Sequence, residues 1–145
     1  MKKLGRYRLI LDRTDQEPYL ERYYIFLKDR KRFPFNVFLH KFLKSDPDNL
    51  HDHPWPYFTL ILWGGYWEWV PAPEHGEHAQ LKKWRGPGHF RFCNATSFHR
   101  IEVEPGITAW TLFMPGPQKR EWGFQVGENW VGHDQYFVTK RKQAK

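Results

Sequence analysis

The chain of 145 residues has one cysteine, Cys93, so no internal disulfide can staple it. A lone thiol fits a reducing compartment, and the chain is read as cytoplasmic. Long hydrophobic runs are absent too. Residues 9–11 are cut short by Asp12 and Arg13, which leaves no signal-peptide core, and no stretch approaches the ~18 apolar residues of a membrane span. There is no Gly-rich phosphate cradle and no Ser/His/Asp signature. Neither an RNA-recognition signature nor zinc-finger spacing is found, so nucleic acid is not an expected partner. No repeat, low-complexity tract or linker divides the chain, and one domain over 1–138 is expected.

What is present is basic and aromatic. The chain has 23 basic against 16 acidic residues, a formal +7. The excess sits in 28–32, 82–85 and 140–145, and such runs read as solvated faces or loose ends. Residues 139–145 are expected to be a disordered basic tail. The net charge also favours a small anionic partner. Eight Trp, seven Tyr and twelve Phe accompany 11 Gly and 11 Pro. Aromatics suit pleated, half-buried strands and Gly and Pro break the chain into short pieces, so an all-β domain is expected.

The strands read off in order. Residues 7–11 form the first, and 17–27 (EPYLERYYIFL) leave helix and strand both open. Residues 35–43 (FNVFLHKFL) are apolar on both faces, as in a buried strand, and SDPDN over 45–49 ends them. Residues 57–63 (YFTLILW) are the clearest strand, and Gly64-Gly65 is expected to turn them into a hairpin. On the return, Tyr66, Glu68 and Val70 share one face while Trp67 and Trp69 take the other. Further short strands follow at 81–84, 89–93, 99–103 and 107–114, separated by Gly86-Pro87-Gly88, the polar turn 94–97 and Pro105-Gly106. Such spacing points to a sandwich or barrel.

His51-Asp52-His53 opens the clearest strand. In an extended chain residues two apart share a face, so both imidazoles reach a common point. Imidazole binds zinc, iron, copper and nickel. A bare His-x-His also describes two solvent-facing histidines. The context is more specific. His51 and His53 are followed at suitable distance by Gly64 and Gly65, and Gly88, residues 90–93, the turn 94–97 and His99 follow later. Over about 35–114 this layout resembles the two motifs of the cupin superfamily, and HDHPWPYFTLILWGGYWEW is similar to small cupins of phages and bacteria. The resemblance implies a single-domain jelly-roll β-barrel with His51, His53 and His99 as ligands of one divalent metal ion. Three-histidine cupins such as the thiol dioxygenases use iron, so iron is expected, with zinc, nickel or manganese as the other candidates.

The sequence departs from the pattern where it matters. The motif glutamate falls on Tyr57 or Phe58, and Pro-x-Gly is replaced by Asn94-Ala95-Thr96. Three neutral histidines leave the ion's charge uncompensated, which favours an anionic substrate. The candidate catalytic residues are Glu68, able to restore a carboxylate from the return strand, Tyr57 at the lost glutamate's place, and Arg91, whose parity turns it inward towards an anion. Tyr57, Tyr66 and Trp63 also read as barrel packing. His40 reads as a core histidine, His89 as a turn residue and His75 and His78 as solvent-facing, while His133 lies beyond the resemblance. The expected activity is that of a dioxygenase-like small-molecule enzyme. The alternatives are a sugar isomerase or epimerase and a non-catalytic sugar- or protein-binding module. Trp67, Trp69 and Trp84 are the expected surface of a homodimer.

Overall fold

The computed structural model describes residues 5–143, apart from positions 13, 29, 31, 48 and 128. Among the described residues eleven strands and one α-helix follow in order: β1 (Tyr7–Leu11), β2 (Pro18–Tyr24), β3 (Phe38–Phe42), β4 (Tyr57–Trp63), β5 (Tyr66–Pro71), β6 (Gln80–Arg85), β7 (Phe90–Cys93), β8 (Arg100–Glu102), β9 (Ala109–Pro115), β10 (Gly123–Val126), β11 (Asn129–Gly132) and α1 (His133–Gln143). A six-stranded sheet has the order β1-β2-β3-β9-β4-β7, and a three-stranded sheet the order β6-β5-β8. All pairings are antiparallel. The fold is an all-β jelly roll, as expected.

The two sheets share one core. Leu20, Phe42, Ile61 and Ala109 of the larger sheet pack with Tyr66, Ile101 and Val103 on or beside the smaller one. Full burial of a large apolar side chain contributes roughly 1.5–3 kcal/mol, so this cluster is a main source of cohesion. Alternation along β5 follows the sequence, with Tyr66 and Glu68 buried and Trp67 and Trp69 less so.

Three expectations change. Within the ambiguous stretch 17–27, Pro18–Tyr24 form a strand, β2, because their backbone pairs in antiparallel register with β1 on one side and β3 on the other. Gly64-Gly65 does not close a hairpin: β4 belongs to the six-stranded sheet and β5 to the other, so the pair carries the chain between layers. Gly64 sits at φ +76°, and a Cβ there would lie 2.1 Å from the Thr108 carbonyl oxygen. The third change is at the C-terminus. Residues 139–143, expected as loose tail, end helix α1, whose Tyr136 and Phe137 pack on Phe124, Trp122 and Val131; positions 144 and 145 lie outside the described residues.

The aromatic surface also differs from expectation. Trp67 and Trp69 donate their ring N–H to Glu104 and Glu102, at 2.9 and 3.1 Å. Lys82 lies over both rings and Arg100 over Trp69. These two tryptophans thus serve the chain's own surface, while Trp84 is half exposed. More exposed are Trp63, Phe90 and Phe92, on the outer face of β4 and the edge strand β7.

Candidate metal centre

Residues 50–53 run between two neighbours that hold them extended. On one side His51 and His99 exchange both backbone hydrogen bonds at 3.0 Å. On the other, Asp52 N–H donates to the Gly123 carbonyl and Gln125 N–H to that of Leu50. The extended backbone turns His51 and His53 into the barrel and Asp52 away from it. Asp52 is fully buried. Its carboxylate accepts from Gly123 N–H (2.6 Å) and the Trp130 ring N–H (3.0 Å), and pairs with Arg120 at 3.1 Å. The residue between the two histidines therefore anchors β10 and β11 and fixes the segment that carries the imidazoles.

The three expected ligands converge. Nε2 of His53 and His99 lie 2.9 Å apart, and one nitrogen from each of the three rings lies within 4.8 Å of the others. Two imidazoles on one ion at about 2.1 Å hold their nitrogens about 3 Å apart across a right angle and about 3.4 Å across a tetrahedral one. The His53–His99 spacing matches the tighter case, and a His51 nitrogen lies within 4.8 Å of both. The residues present fit a single divalent ion. Burial, reinforced by the neighbouring imidazoles, holds His53 well below its ordinary pKa. Burial lowers His51 to about 4, against the opposing pull of Asp46. Both rings stay neutral at physiological pH, the state in which imidazole binds a metal.

Glu68 takes a different part from the one expected. Only 1% exposed, its carboxylate accepts from His99 Nδ1 at 3.0 Å, from Arg85 at 3.2 and 3.3 Å, and from Arg91. Burial pushes its pKa up, but the His99 hydrogen bond and the charges of Arg91 and Arg85 outweigh that and leave it lowered. A carboxylate so committed does not replace the missing motif glutamate. It fixes the His99 proton on Nδ1 and aims the Nε2 lone pair at the other two rings, as carboxylates behind metal-binding histidines do. Arg91 turns inward as its parity implied, yet its partner is Glu68, and it is absent from the cavity wall. The expectation that Arg91 meets an anionic substrate is corrected by this pairing.

In front of the histidines lies a cavity of about 370 Å³ with a mainly apolar wall. Tyr57 and Phe58 now separate. Tyr57 is 4% exposed and faces inward, its ring centre 4.7 Å from that of His53, whereas Phe58 packs outside on Phe92. Tyr57 is thus the residue in the glutamate's place. Its hydroxyl finds no hydrogen-bond partner among the described residues, and burial, with Cys93 beside it, keeps it protonated. Trp63 points outward, so of the aromatics flagged on β4 only Tyr57 enters the cavity. Trp122, Phe124 and Phe137 close the His51 end.

His40 lines the wall as a buried residue, while His75 and His78 are exposed and His89 sits in the turn before β7. His133 stacks on Trp122 with ring centres 4.9 Å apart. Sequence reasoning missed Asp46, Arg85 and the whole C-terminal closure. Asp46 lies in SDPDN, whose composition signals a turn and carries no ligand motif. A second acidic group, Asp12, Asp15 and Glu17, is filled by Lys44 Nζ at 2.8, 3.0 and 2.6 Å and is a loop clamp.

No family model and no curated protein matches the chain. Solved structures do. A cupin-2 domain from Rhodospirillum rubrum superposes with a TM-score of 0.59 at 12% identity, over 99% of this chain and 87% of that one. The fold is that of the cupins. The polyketide cyclase RemF from Streptomyces resistomycificus gives 0.57 at 19% identity, over 97% and 93% of the two chains. Fe(II)-HppE with an alternative substrate gives 0.56 at 12% identity, over 79% of this cupin-fold chain. The chain spans only 58% of the length of HppE. At such identities the likeness establishes the fold. No helix among the described residues is long and apolar enough to cross a membrane.

Proposed function

We propose that this cupin-fold protein is an enzyme acting on a small organic anion at one divalent ion held by His51, His53 and His99. The observation that carries this reading is the convergence of three imidazoles, one backed by a buried carboxylate, on an open cavity. Iron is the first candidate, and the Fe(II) of HppE, similar in fold, supports it; zinc, nickel and manganese suit the same ligands. Bound there, the ion supplies Lewis-acid chemistry and, for iron, oxygenase-type redox chemistry. The chain's own residues do the rest. Glu68 and the arginines behind it orient His99. Trp122, Phe124 and Phe137 exclude water from the His51 side. The Tyr57 hydroxyl, a buried donor without a partner, is placed to donate to a bound ligand.

An isomerase that moves a proton through Glu68 is less well supported, because a carboxylate shared by two arginines and a histidine is a weak base. An open cavity with three converging imidazoles favours chemistry over the non-catalytic sugar- or protein-binding module. The homodimer belongs to this reading with a changed surface: Phe90 and Phe92, 62% and 81% exposed on an edge strand, replace Trp67 and Trp69. Phe92→Asp should then sediment as monomer beside a dimeric wild type.

The deciding experiment is anaerobic purification, loading with iron, zinc, nickel or manganese, elemental analysis, and oxygen uptake with small organic acids. Retention of one ion per chain and acid-dependent oxygen consumption are expected. A wild-type protein that retains none of the four metals would sink the reading.

A further inference from the structure

The charged groups of the cavity wall are nearly all occupied. Asp12 holds Lys44, Glu68 holds two arginines and His99, and Asp46 accepts from the Tyr19 hydroxyl and from Ile101 N–H. Arg22 is the exception. It stands on β2 in register with His40 of β3, and its Nε–H donates to His40 Nε2 at 3.0 Å. Its guanidinium carbon lies 4.4 Å over the Phe38 ring. The other groups acting on it are the Tyr24 phenol and, across β1, the like charge of Arg8; among the described residues no carboxylate does. Nε–H is committed to His40 and a further N–H meets the Tyr24 phenol, and the rest of the five N–H donors of a permanently charged fork remain for a ligand.

We infer that Arg22 is the anion anchor of this cavity, which takes a small organic carboxylate with its charged end on Arg22 and its other end towards the histidines. The inference rests on the proposed function only for what the far end of the ligand meets. His40 Nε2 accepts from Arg22 and orients the fork. The wall between anchor and histidines is aromatic: Phe113 stacks with His40 at 5.1 Å, and Tyr57 lies 5.1 Å from Phe113 on its other side. Phe42, Tyr66 and Trp55 complete an apolar sleeve. A volume of about 370 Å³ holds on the order of ten non-hydrogen atoms at the ~30 Å³ that one water occupies in the liquid. The occupant is therefore a monocarboxylic acid with an aromatic or branched apolar body. Carboxylate meets guanidinium through two parallel hydrogen bonds, which a neutral amide cannot reproduce.

The test is calorimetric titration of acetate, isovalerate, phenylacetate and 3-phenylpropionate, each against its primary amide. The proteins are wild type, Arg22→Gln, Arg22→Lys and the doubly substituted His51→Ala/His53→Ala. The tightest acid should bind wild type at least tenfold better than its amide. Arg22→Gln should erase that preference while leaving metal content unchanged. Arg22→Lys should keep part of it, since charge remains and the fork is lost, and this variant carries the test should Arg22→Gln not fold. The preference should survive in the double histidine variant. Loss there, with retention in Arg22→Gln, would mean that the carboxylate sits on the metal; the anchor would be overturned and the metal reading kept. A preference for acids in a wild type that retains no metal would do the reverse. Failure of every acid to bind wild type also overturns the anchor.

Discussion

His40 and His99 line the same cavity at nearly equal exposure, 4% and 6%, and the structure makes opposite use of them. His99 donates a hydrogen bond from Nδ1 to the Glu68 carboxylate, so its Nε2 lone pair faces His53. His40 accepts from Arg22 at Nε2, so that lone pair is engaged. Burial alone does not make a metal ligand. The partner on the far side of the ring decides which nitrogen is free, and whether it meets other donors or an aromatic wall.

Substituting each histidine is the most direct way to break this contrast. His99→Ala should abolish stoichiometric metal and leave the β-sheet circular dichroism largely intact, because the imidazole contributes little packed apolar area. His40→Ala should retain the ion at full stoichiometry, yet lose stability, since Arg22 is left without its acceptor and two aromatic stacking contacts disappear. Elemental analysis and thermal melts read both. Metal loss in His40→Ala alone would reverse the assignment.

Glu68→Gln sharpens the comparison by keeping shape while removing charge. Metal affinity should fall by about 10–100-fold, the range seen when partners behind ligating histidines are changed. Stability should fall as well, because Arg85 and Arg91 lose their common counter-charge. Breaking a buried pair costs roughly 3–5 kcal/mol, and the two arginines, partly open to solvent, place this case at the low end. A chelator competition and a urea titration separate the two effects. Unchanged metal affinity would remove Glu68 from the centre.

A smaller effect comes with acid. Burial, aided by the Arg22 charge, holds His40 far below its ordinary 6.5, and burial holds His51 at about 4. Unfolded histidines bind protons below about 6.5 and these folded ones do not, so stability rises with pH in that window. Metal-free protein should be at full stability above the unfolded value and lose roughly 1.4 kcal/mol per pH unit per histidine as pH falls below it. For His51 the loss levels off near 4. Urea titrations from pH 7.5 to 4.5 test this, and His40→Gln should flatten the slope. An unchanged slope in that variant would show that His40 is not held neutral.

The smallest expected effect separates Tyr57 from Phe58. Tyr57→Glu puts a carboxylate against the histidines and should weaken azide binding to the metal-loaded protein by about tenfold, roughly 1.4 kcal/mol. Phe58→Glu lies outside the barrel and should leave the titration unchanged. Equal effects from both would mean that β4 presents the other face to the metal.

Much of this was legible in the chain. The strands of 57–63 and 66–71 announce themselves by alternation and β-branched or aromatic content, and His51 and His53 share a face by the two-residue period. Stretch 17–27 is ambiguous because its apolar residues fit both periods, and only pairing with β1 and β3 selects the strand. Helix α1 was invisible: its mean hydropathy is low, and its two buried rings, Tyr136 and Phe137, are adjacent in sequence rather than periodic. Asp46 and Arg85 carry no motif.

By itself, the sequence determined an all-β chain with a two-histidine segment, a later third histidine, and no glutamate in the usual place. Those are local properties of period, turn chemistry and residue type. The tertiary structure decided that Glu68 hydrogen-bonds His99 and two arginines, that Arg91 meets Glu68 and not the cavity, and that no carboxylate among the described residues meets Arg22. Each of those outcomes depends on residues from β2, β5, β6 and β7 meeting across two sheets, and the partner of a buried charge is set by that meeting.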